Sequence, residues 1–192
     1  AAAPLGFYGP RGVVVDAQGN VYIADTGNKR IVVTDTEGNF KYQWGSFGAS
    51  LGQFNEPIGL ALDGQGNLYV GDTWNGRIQV FGPDAEGRIS PIPIVTWNVA
   101  GWQANTYYDP FLAASQSGQL YVSVPSRDTV LYANLRGDVL LRWGGNGTDT
   151  ASMVLPSGVA VDNEGAIYVV DFGNARVMKF KLPNVADPQL GR

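Results

Sequence analysis

The chain has 192 residues, a net charge of −4 and 44% hydrophobic residues, so it is long and apolar enough for one folded domain. It contains neither cysteine nor histidine, which excludes disulfides, thiolate nucleophiles, Cys/His zinc sites and histidine-based catalytic triads. The 13 Lys and Arg residues are scattered, and the isoelectric point is near 4.7. Nucleic acid and anionic membrane are therefore not expected partners, and no apolar run approaches the ~18 residues of a membrane helix.

A Gly-Tyr pair of constant spacing divides the chain into four units. It recurs as Gly19–Tyr22, Gly66–Tyr69, Gly118–Tyr121 and Gly165–Tyr168, and consecutive copies are separated by 47, 52 and 47 residues. Periods of this length are typical of repeat proteins, in which each unit is one supersecondary structure. The predicted organisation is a lead-in or linker over 1–9, units over about 10–56, 57–108, 109–155 and 156–183, and a C-terminal tail over 184–192.

The first unit shows the strand pattern that the others follow. "GVVVD", "NVYIAD" and "RIVVTD" are short, rich in β-branched and aromatic residues, and bounded by Asp, Asn and Gly, and "FKYQWG" supplies a fourth strand. The segments "DAQGN" and "DTEGN" have the composition of short hairpin turns. Four antiparallel strands in each repeat of about 45 residues predict an all-β fold made of β-propeller blades.

The later units depart from this pattern. The second carries the insertion "ISPIPIVTWN", whose prolines are typical of an edge strand. The third is degenerate, with Val124, Arg127 and Thr129 at positions that hold Asp, Asn and Arg in the other units. The fourth has three clear strands and ends with "RVMKFKLP". We therefore expect an open arc, a fragment of a larger propeller, or an incompletely closed small ring.

The repeated motif resembles a known family. The order P-x-G-V/L-A/V-V/L-D, G-N-V/L-Y-V/I, D-x-x-N-x-R-I/V and W-G is similar to the NHL repeat, from about residue 5 to residue 183. NHL repeats form β-propeller blades, commonly six per ring, and six blades of this length need about 280 residues. The resemblance thus implies four NHL-type blades, the third degenerate.

One loop occurs three times, as "DTGNKR", "DTWNGR" and "DFGNAR". Its Asp can accept backbone N–H groups, its Asn suits a left-handed conformation, and its Arg can hold the carboxylate from across the hairpin. A set that recurs in every regular blade serves the blade rather than one ligand, so we interpret it as a structural staple. Its residues are Asp25, Asn28, Arg30, Asp72, Asn75, Arg77, Asp171, Asn174 and Arg176.

The candidate binding residues are those that differ between blades. In NHL propellers, the loops between the second and third strands share one face with the connectors that join blades, and ligands tend to bind there. Aromatic side chains on this face could stack on sugars or anchor a peptide. The candidates are Trp74, Trp102, Tyr107, Tyr108, Phe172 and Arg127, with Tyr8, Phe47 and Phe54 in equivalent connectors. The alternative interpretation is that these rings fill gaps between blades.

The resemblance leaves three functions open. The first is a non-catalytic module or scaffold, without cofactor or metal, that binds protein, peptide or glycan as part of a larger extracytoplasmic or cell-surface protein. The second is a metal-dependent hydrolase or lyase whose remaining site residues lie outside this chain. The third is a structural module that self-associates through unpaired blade edges. Some enzymes of related fold use histidine ligands for zinc, and this chain has no histidine. Others use a lone glutamate, and no glutamate lies on a predicted inner strand. The sequence therefore favours a non-catalytic module.

Overall fold

The computed structural model describes residues 6–103 and 108–182. Tyr107 and the predicted tail 184–192 lie outside these ranges, as do the first five residues of the predicted lead-in. Among the described residues, fifteen strands form four antiparallel sheets, each with its strands in chain order. This confirms the predicted all-β blades. No helix in the described part of the chain is long and apolar enough to span a membrane.

Three blades have four strands and the last has three. Blade 1 contains β1 (Gly12–Val15), β2 (Val21–Asp25), β3 (Arg30–Thr34) and β4 (Phe40–Trp44). Blade 2 contains β5 (Pro57–Leu62), β6 (Leu68–Asp72), β7 (Arg77–Phe81) and β8 (Val95–Asn98). Blade 3 contains β9 (Leu112–Ala114), β10 (Leu120–Val124), β11 (Thr129–Ala133) and β12 (Val139–Gly144). Blade 4 contains β13 (Pro156–Val161), β14 (Ala166–Asp171) and β15 (Arg176–Lys181).

A 3₁₀ turn joins the second and third strands of every blade. The four turns are Thr26–Asn28, Thr73–Asn75, Pro125–Arg127 and Phe172–Asn174. In each case the residue after the turn has a left-handed backbone, with φ between 51° and 65°. The loop geometry is therefore the same in all four blades, although the loop sequence of blade 3 differs.

An acid closes the hairpin between the first two strands of a regular blade. In blade 1, Asp16 accepts hydrogen bonds from the backbone N–H groups of Gln18 and Asn20, at 2.9 and 2.8 Å, and from the Tyr22 hydroxyl at 3.0 Å. Gly19 completes the turn with a φ of 77°, a conformation that favours glycine. This geometry explains why the Gly-Tyr spacing marks the repeat.

Hydrophobic layers fill the spaces between consecutive blades. Between blades 1 and 2, Tyr22, Ile31 and Trp44 pack with Leu68 and Phe81. Equivalent layers lie between blades 2 and 3 and between blades 3 and 4. Because side chains alternate along a strand, each blade presents one face to the preceding blade and the other to the following blade.

The two ends of this array are not joined. On the first blade, Val13 and Val15 are 63% and 55% exposed, on the face that a preceding blade would cover. On the fourth blade, Val170 and Val177 are 39% and 66% exposed, on the face that a following blade would cover. The described residues therefore form an open arc of blades.

Candidate binding face

The 3₁₀ turns and the segments that lead into the inner strands lie on one side of the arc. We call this side the connector face; it comprises the four turns and residues 6–11, 45–56, 99–103, 108–109 and 145–155. Backbone hydrogen bonds join the two sets of loops, for example from Gly27 N to Tyr8 O at 2.8 Å and from Gly173 N to Val154 O at 2.8 Å. The hairpin turns closed by Asp16 and its equivalents lie on the opposite side.

The repeated loop motif ties each regular blade to the connector that precedes it. In blade 2, Asp72 is fully buried; one carboxylate oxygen accepts the N–H of Asn55 at 2.7 Å, and the other accepts Arg77 Nε at 2.7 Å and Asn75 Nδ2 at 2.9 Å. Arg77 also donates to the Gln53 carbonyl at 3.0 Å. These contacts join the loop, the third strand and the connector, which is the arrangement that a structural staple requires; the role itself stays a prediction.

Blades 1 and 4 repeat this arrangement closely. The Nε–Oδ2 distance is 2.7 Å between Arg30 and Asp25 and again between Arg176 and Asp171. The connector N–H donated to the same carboxylate comes from Tyr8 at 2.8 Å in blade 1 and from Val154 at 2.7 Å in blade 4. The Asn28 and Asn174 amides each donate to their own Asp and to a connector carbonyl.

Blade 3 replaces the staple with a different contact. Val124 is buried at the Asp position, and the Thr129 hydroxyl has no hydrogen-bond partner among the described residues. Asp128, in the left-handed position of the loop, instead accepts the Leu155 N–H at 2.8 Å and the Asn146 amide at 3.0 Å, both from the connector that follows the blade. Asp128 was not predicted from the sequence. The available signal was an acidic residue directly after the loop of blade 3, in which Val124 replaces the usual Asp.

Trp102 lies in the interior rather than on the surface. It is 6% exposed, and its indole Nε1 donates to the Ser123 carbonyl at 3.0 Å. A side chain at Gly71 would approach the indole ring to 3.2 Å, so the ring packs directly on the backbone of blade 2. The binding role predicted for Trp102 therefore has almost no accessible surface through which to act, and the gap-filling alternative describes this residue. Phe54 is likewise buried.

Tyr108 and Phe172 come together at the inner end of the connector face. Their ring centroids lie 6.3 Å apart, and the side chains are 42% and 60% exposed. The next residue, Asp109, forms an ion pair with Arg11 at the start of blade 1. The pair of residues 108–109 thus brings side chains of blades 1, 3 and 4 together at the mouth of the inner strands.

The other candidates lie elsewhere in the turns and connectors of this face. Trp74 is half-buried, with the Lys29 ammonium 5.9 Å from its ring centroid, and Lys29 is itself paired with Glu56. Arg127 is exposed in the degenerate loop. Tyr8 and Phe47 are 71% and 70% exposed. The described residues contain no group of three or more His, Cys, Asp or Glu side chains placed to hold a metal ion.

Acid is expected to destabilise the fold through its hydrogen-bonded aspartates. At Asp16 and Asp171, burial acts to raise the pKa, but hydrogen bonds to the carboxylates outweigh it and the pKa lies below the ordinary 3.8. At Asp162, the Ala166 N–H is the main cause of a lowered pKa. These groups stabilise the fold above the unfolded-state value, and this stabilisation is lost as pH falls through their folded-state pKa values. Burial raises the pKa of Asp72, which acts in the opposite sense.

We therefore expect the melting temperature to be nearly constant above about pH 5 and to fall below about pH 4, as measured by circular dichroism. The variant Asp162→Ser, which copies Ser115 of blade 3, should show a smaller loss on acidification than the wild type. A melting temperature that rises on acidification would contradict this expectation.

Comparison with known proteins identifies the repeat. Residues 7–34, 54–81 and 154–180 match the family model described as the NHL repeat. Over 42 residues, 22% of this chain, the sequence is 50% identical to Protein brain tumor of Drosophila melanogaster. Virginiamycin B lyase from Staphylococcus aureus superposes with a TM-score of 0.63 at 14% identity over 95% of this chain. A chain of the nidogen/laminin complex superposes with a TM-score of 0.60 at 19% identity over 89% of this chain.

These matches cover only parts of the other proteins. The aligned region is 4% of Protein brain tumor, 59% of the lyase chain and 60% of the chain from the nidogen/laminin complex. At this level of identity the solved structures establish the fold. The three matched ranges cover the first three strands of blades 1, 2 and 4, and the unmatched blade 3 is the one whose loop lacks the Asp, Asn and Arg. The chain therefore contains three NHL repeats, and its fold is that of β-propeller blades.

Proposed function

We propose that the chain is a non-catalytic propeller module that binds a protein or peptide segment through its connector face. The observation that carries the proposal is the exposure of aromatic side chains there: Tyr8, Phe47 and Phe172 are 71%, 70% and 60% exposed. Exposed aromatic residues near the centre of a surface are frequent anchors of protein interfaces. Tyr108 and Phe172, which are in contact, are placed to form such an anchor.

The charged groups beside these rings favour a peptide over an extended charged partner. Arg30, Arg77 and Arg176 are held in ion pairs by the staples, and Arg11 is paired with Asp109. Among the described residues of this face, Arg127 is the cation with neither an ion pair nor a side-chain hydrogen bond. The face therefore offers apolar rings with one available positive charge, which suits a peptide with hydrophobic anchors and an acidic group.

Two of the similar solved structures bear on the choice between a binding module and an enzyme. Nidogen occurs in a complex with laminin, which supports a role in protein binding. The lyase is an enzyme, and a variant of it with alanine in place of a histidine is catalytically inactive. The present chain has no histidine and cannot supply that residue, so a hydrolase or lyase activity would need groups from elsewhere.

A random peptide library displayed on phage tests the binding proposal. Peptides selected on the wild-type protein should bind the double variant Tyr108→Ser, Phe172→Ser at least about tenfold more weakly, because two anchors are lost. Phe40→Ser is the matched control, since Phe40 is 37% exposed on an outer strand away from the connector face. Selected peptides that bind both variants equally would argue against this face. If no peptide is selected and the protein binds a glycan array, the ligand of this face would be a glycan instead of a peptide.

The exposed valines at the ends of the arc favour a second candidate, self-association. Val13 and Val177 are 63% and 66% exposed on strand faces that are covered elsewhere in the arc by neighbouring blades. Light scattering would reveal this as a mass that rises with protein concentration and falls in the variant Val13→Asp.

We also propose an extracytoplasmic location, supported by the resemblance to extracellular NHL propellers; fractionation of the native cells tests it.

A further inference from the structure

A groove of about 950 Å³ opens between blades 1 and 2 on the side opposite the connector face. Its lining includes residues of the hairpin turns that begin at Asp16 and Asp63, and Lys41 and Tyr42 of β4. Residues 83 and 86–89 of blade 2 and Gln116 of blade 3 also line it. Pockets for small molecules in proteins usually have volumes of about 300–1,000 Å³, so the groove is large enough for such a ligand.

Within the described residues, a long segment between the third and fourth strands occurs in blade 2 alone, and several contacts hold its part 83–89 in place. Pro83 and Ile89 form an antiparallel bridge, and the Ser90 N–H donates to the Gly82 carbonyl at 3.0 Å. Ile89 is buried in the hydrophobic layer between blades 1 and 2, and its N–H donates to the Tyr42 hydroxyl at 3.2 Å. The insertion thus reaches from blade 2 to the outer strand of blade 1 and lines the groove between them.

Two cations in the groove lining, Arg88 and Lys41, have N–H donors that make no hydrogen bond within the described residues. The Arg88 guanidinium lies over the Tyr42 ring, 4.5 Å from its centroid, and its side chain makes no hydrogen bond or ion pair within the described residues. Within the described part of the chain, the Lys41 ammonium donates one hydrogen bond, to the Asn20 side-chain oxygen. Stacking on an aromatic ring fixes the plane of the guanidinium, which favours two parallel hydrogen bonds to a carboxylate.

The carboxylates of Asp16 and Asp63 in the groove lining already accept hydrogen bonds from the protein. Asp16 and Asp63 each accept two backbone N–H groups, an asparagine amide and a tyrosine hydroxyl. Together with the exposed Glu86, these acids add negative charge to the groove lining and would repel a multiply charged phosphate. The exposed amides of Gln18 and Gln116 can donate to and accept from hydroxyl groups.

We propose that this groove binds a sugar that carries one carboxylate, such as a uronic acid. The carboxylate lies against Arg88 and Lys41, and the hydroxyls lie against Gln18, Gln116 and Glu86. The single carboxylate pairs with Arg88 and Lys41. The three acids Asp16, Asp63 and Glu86 give the groove lining a net charge of −1, so it repels ligands that carry more than one negative charge more strongly. This groove lies on the opposite side from the proposed peptide-binding surface. A failure to bind a uronic acid would therefore not bear on the peptide proposal, and the reverse also holds.

Titration calorimetry with glucuronate tests the assignment. Glucuronate should give saturable binding, glucose should bind at least about tenfold more weakly, and inorganic phosphate should not compete. Arg88→Gln and Lys41→Gln should each weaken glucuronate binding about tenfold, since each removes a charge-assisted contact. Arg142→Gln is the matched control, because Arg142 is an exposed arginine on the outer strand of blade 3.

The substitutions are not expected to unfold the protein, because Arg88 and Lys41 are both exposed. Unchanged near-ultraviolet circular dichroism would confirm this for each variant. Absence of saturable binding to glucuronate or galacturonate would overturn the proposal. Equal or tighter binding of inorganic phosphate, or equal glucuronate affinity in Arg88→Gln and the wild type, would also overturn it.

Discussion

Replacing Trp102 with alanine is expected to lower the free energy of unfolding by about 3–5 kcal/mol, the usual cost of truncating a buried tryptophan. The ring packs between blades 2 and 3 among Ile78, Val122 and Val124 and against the backbone at Gly71. Alanine would leave a cavity there and would remove the donor to the Ser123 carbonyl. Urea unfolding followed by tryptophan fluorescence and circular dichroism measures the loss.

Two further variants separate packing from surface recognition. Trp102→Phe keeps most of the ring volume and should cost less than alanine, while Tyr108→Ala removes an exposed ring and should change stability by less than about 1 kcal/mol. Tyr108→Ala should instead weaken peptide binding. A Trp102→Ala protein of unchanged stability and reduced peptide affinity would show that the indole acts at the surface.

Asp72→Ala is expected to lower the free energy of unfolding by about 3 kcal/mol or more, because it removes one member of a buried ion pair. Arg77, whose side chain is 12% exposed, would lose its carboxylate, and the Asn55 N–H would lose its acceptor. The Asn75 amide would keep its bond to the Gly48 carbonyl. Chemical denaturation measures the effect, with peptide binding at saturating concentration as a check that the connector face is intact.

The same substitution in the other staples gives an internal scale. The partner arginine side chains are 12% exposed in blade 2, 16% in blade 1 and 32% in blade 4. Since an abandoned charge costs more where water cannot reach it, the loss should be greatest for Asp72, then Asp25, then Asp171. Asp35→Ala, in an exposed hairpin turn, is the control and should cost about 1 kcal/mol or less. Three equal and negligible losses would contradict a structural role.

The family and the blade architecture could be predicted because they depend on local chemistry. A turn that starts with Asp, contains Gly at positive φ and ends before a buried Tyr can be recognised from adjacent residues, and the structure confirms the strands on either side. The loop motif is equally local: the carboxylate of Asp25 meets Asn28 three residues later and Arg30 five residues later. Such contacts need no knowledge of the rest of the fold.

The surface could not be predicted to the same degree because connectors follow tertiary contacts. Nothing in "NVAGWQAN" distinguishes a Trp that points outward from one that packs on Gly71 of another strand. The groove between blades 1 and 2 depends on where the insertion folds, and its wall forms only because Ile89 finds a buried place beside blade 1. Tyr108 and Phe172 are 64 residues apart in the sequence, so their contact is visible only in three dimensions.

The direction of the staple bonds has a consequence for how the chain acquires its structure. In blades 1, 2 and 4, the connector N–H and the carboxylate that receives it are separated by 17 residues, with the connector first. A ribosome therefore releases each connector shortly before the loop that captures it, so blades can be completed one after another from the amino terminus. In blade 3 the carboxylate contact runs the other way, since Asp128 accepts the N–H of Leu155, 27 residues later. Blade 1 has a second contact of this range, between Lys29 and Glu56. During synthesis, the loops of blades 1 and 3 thus complete their contacts only after the following connector has been released.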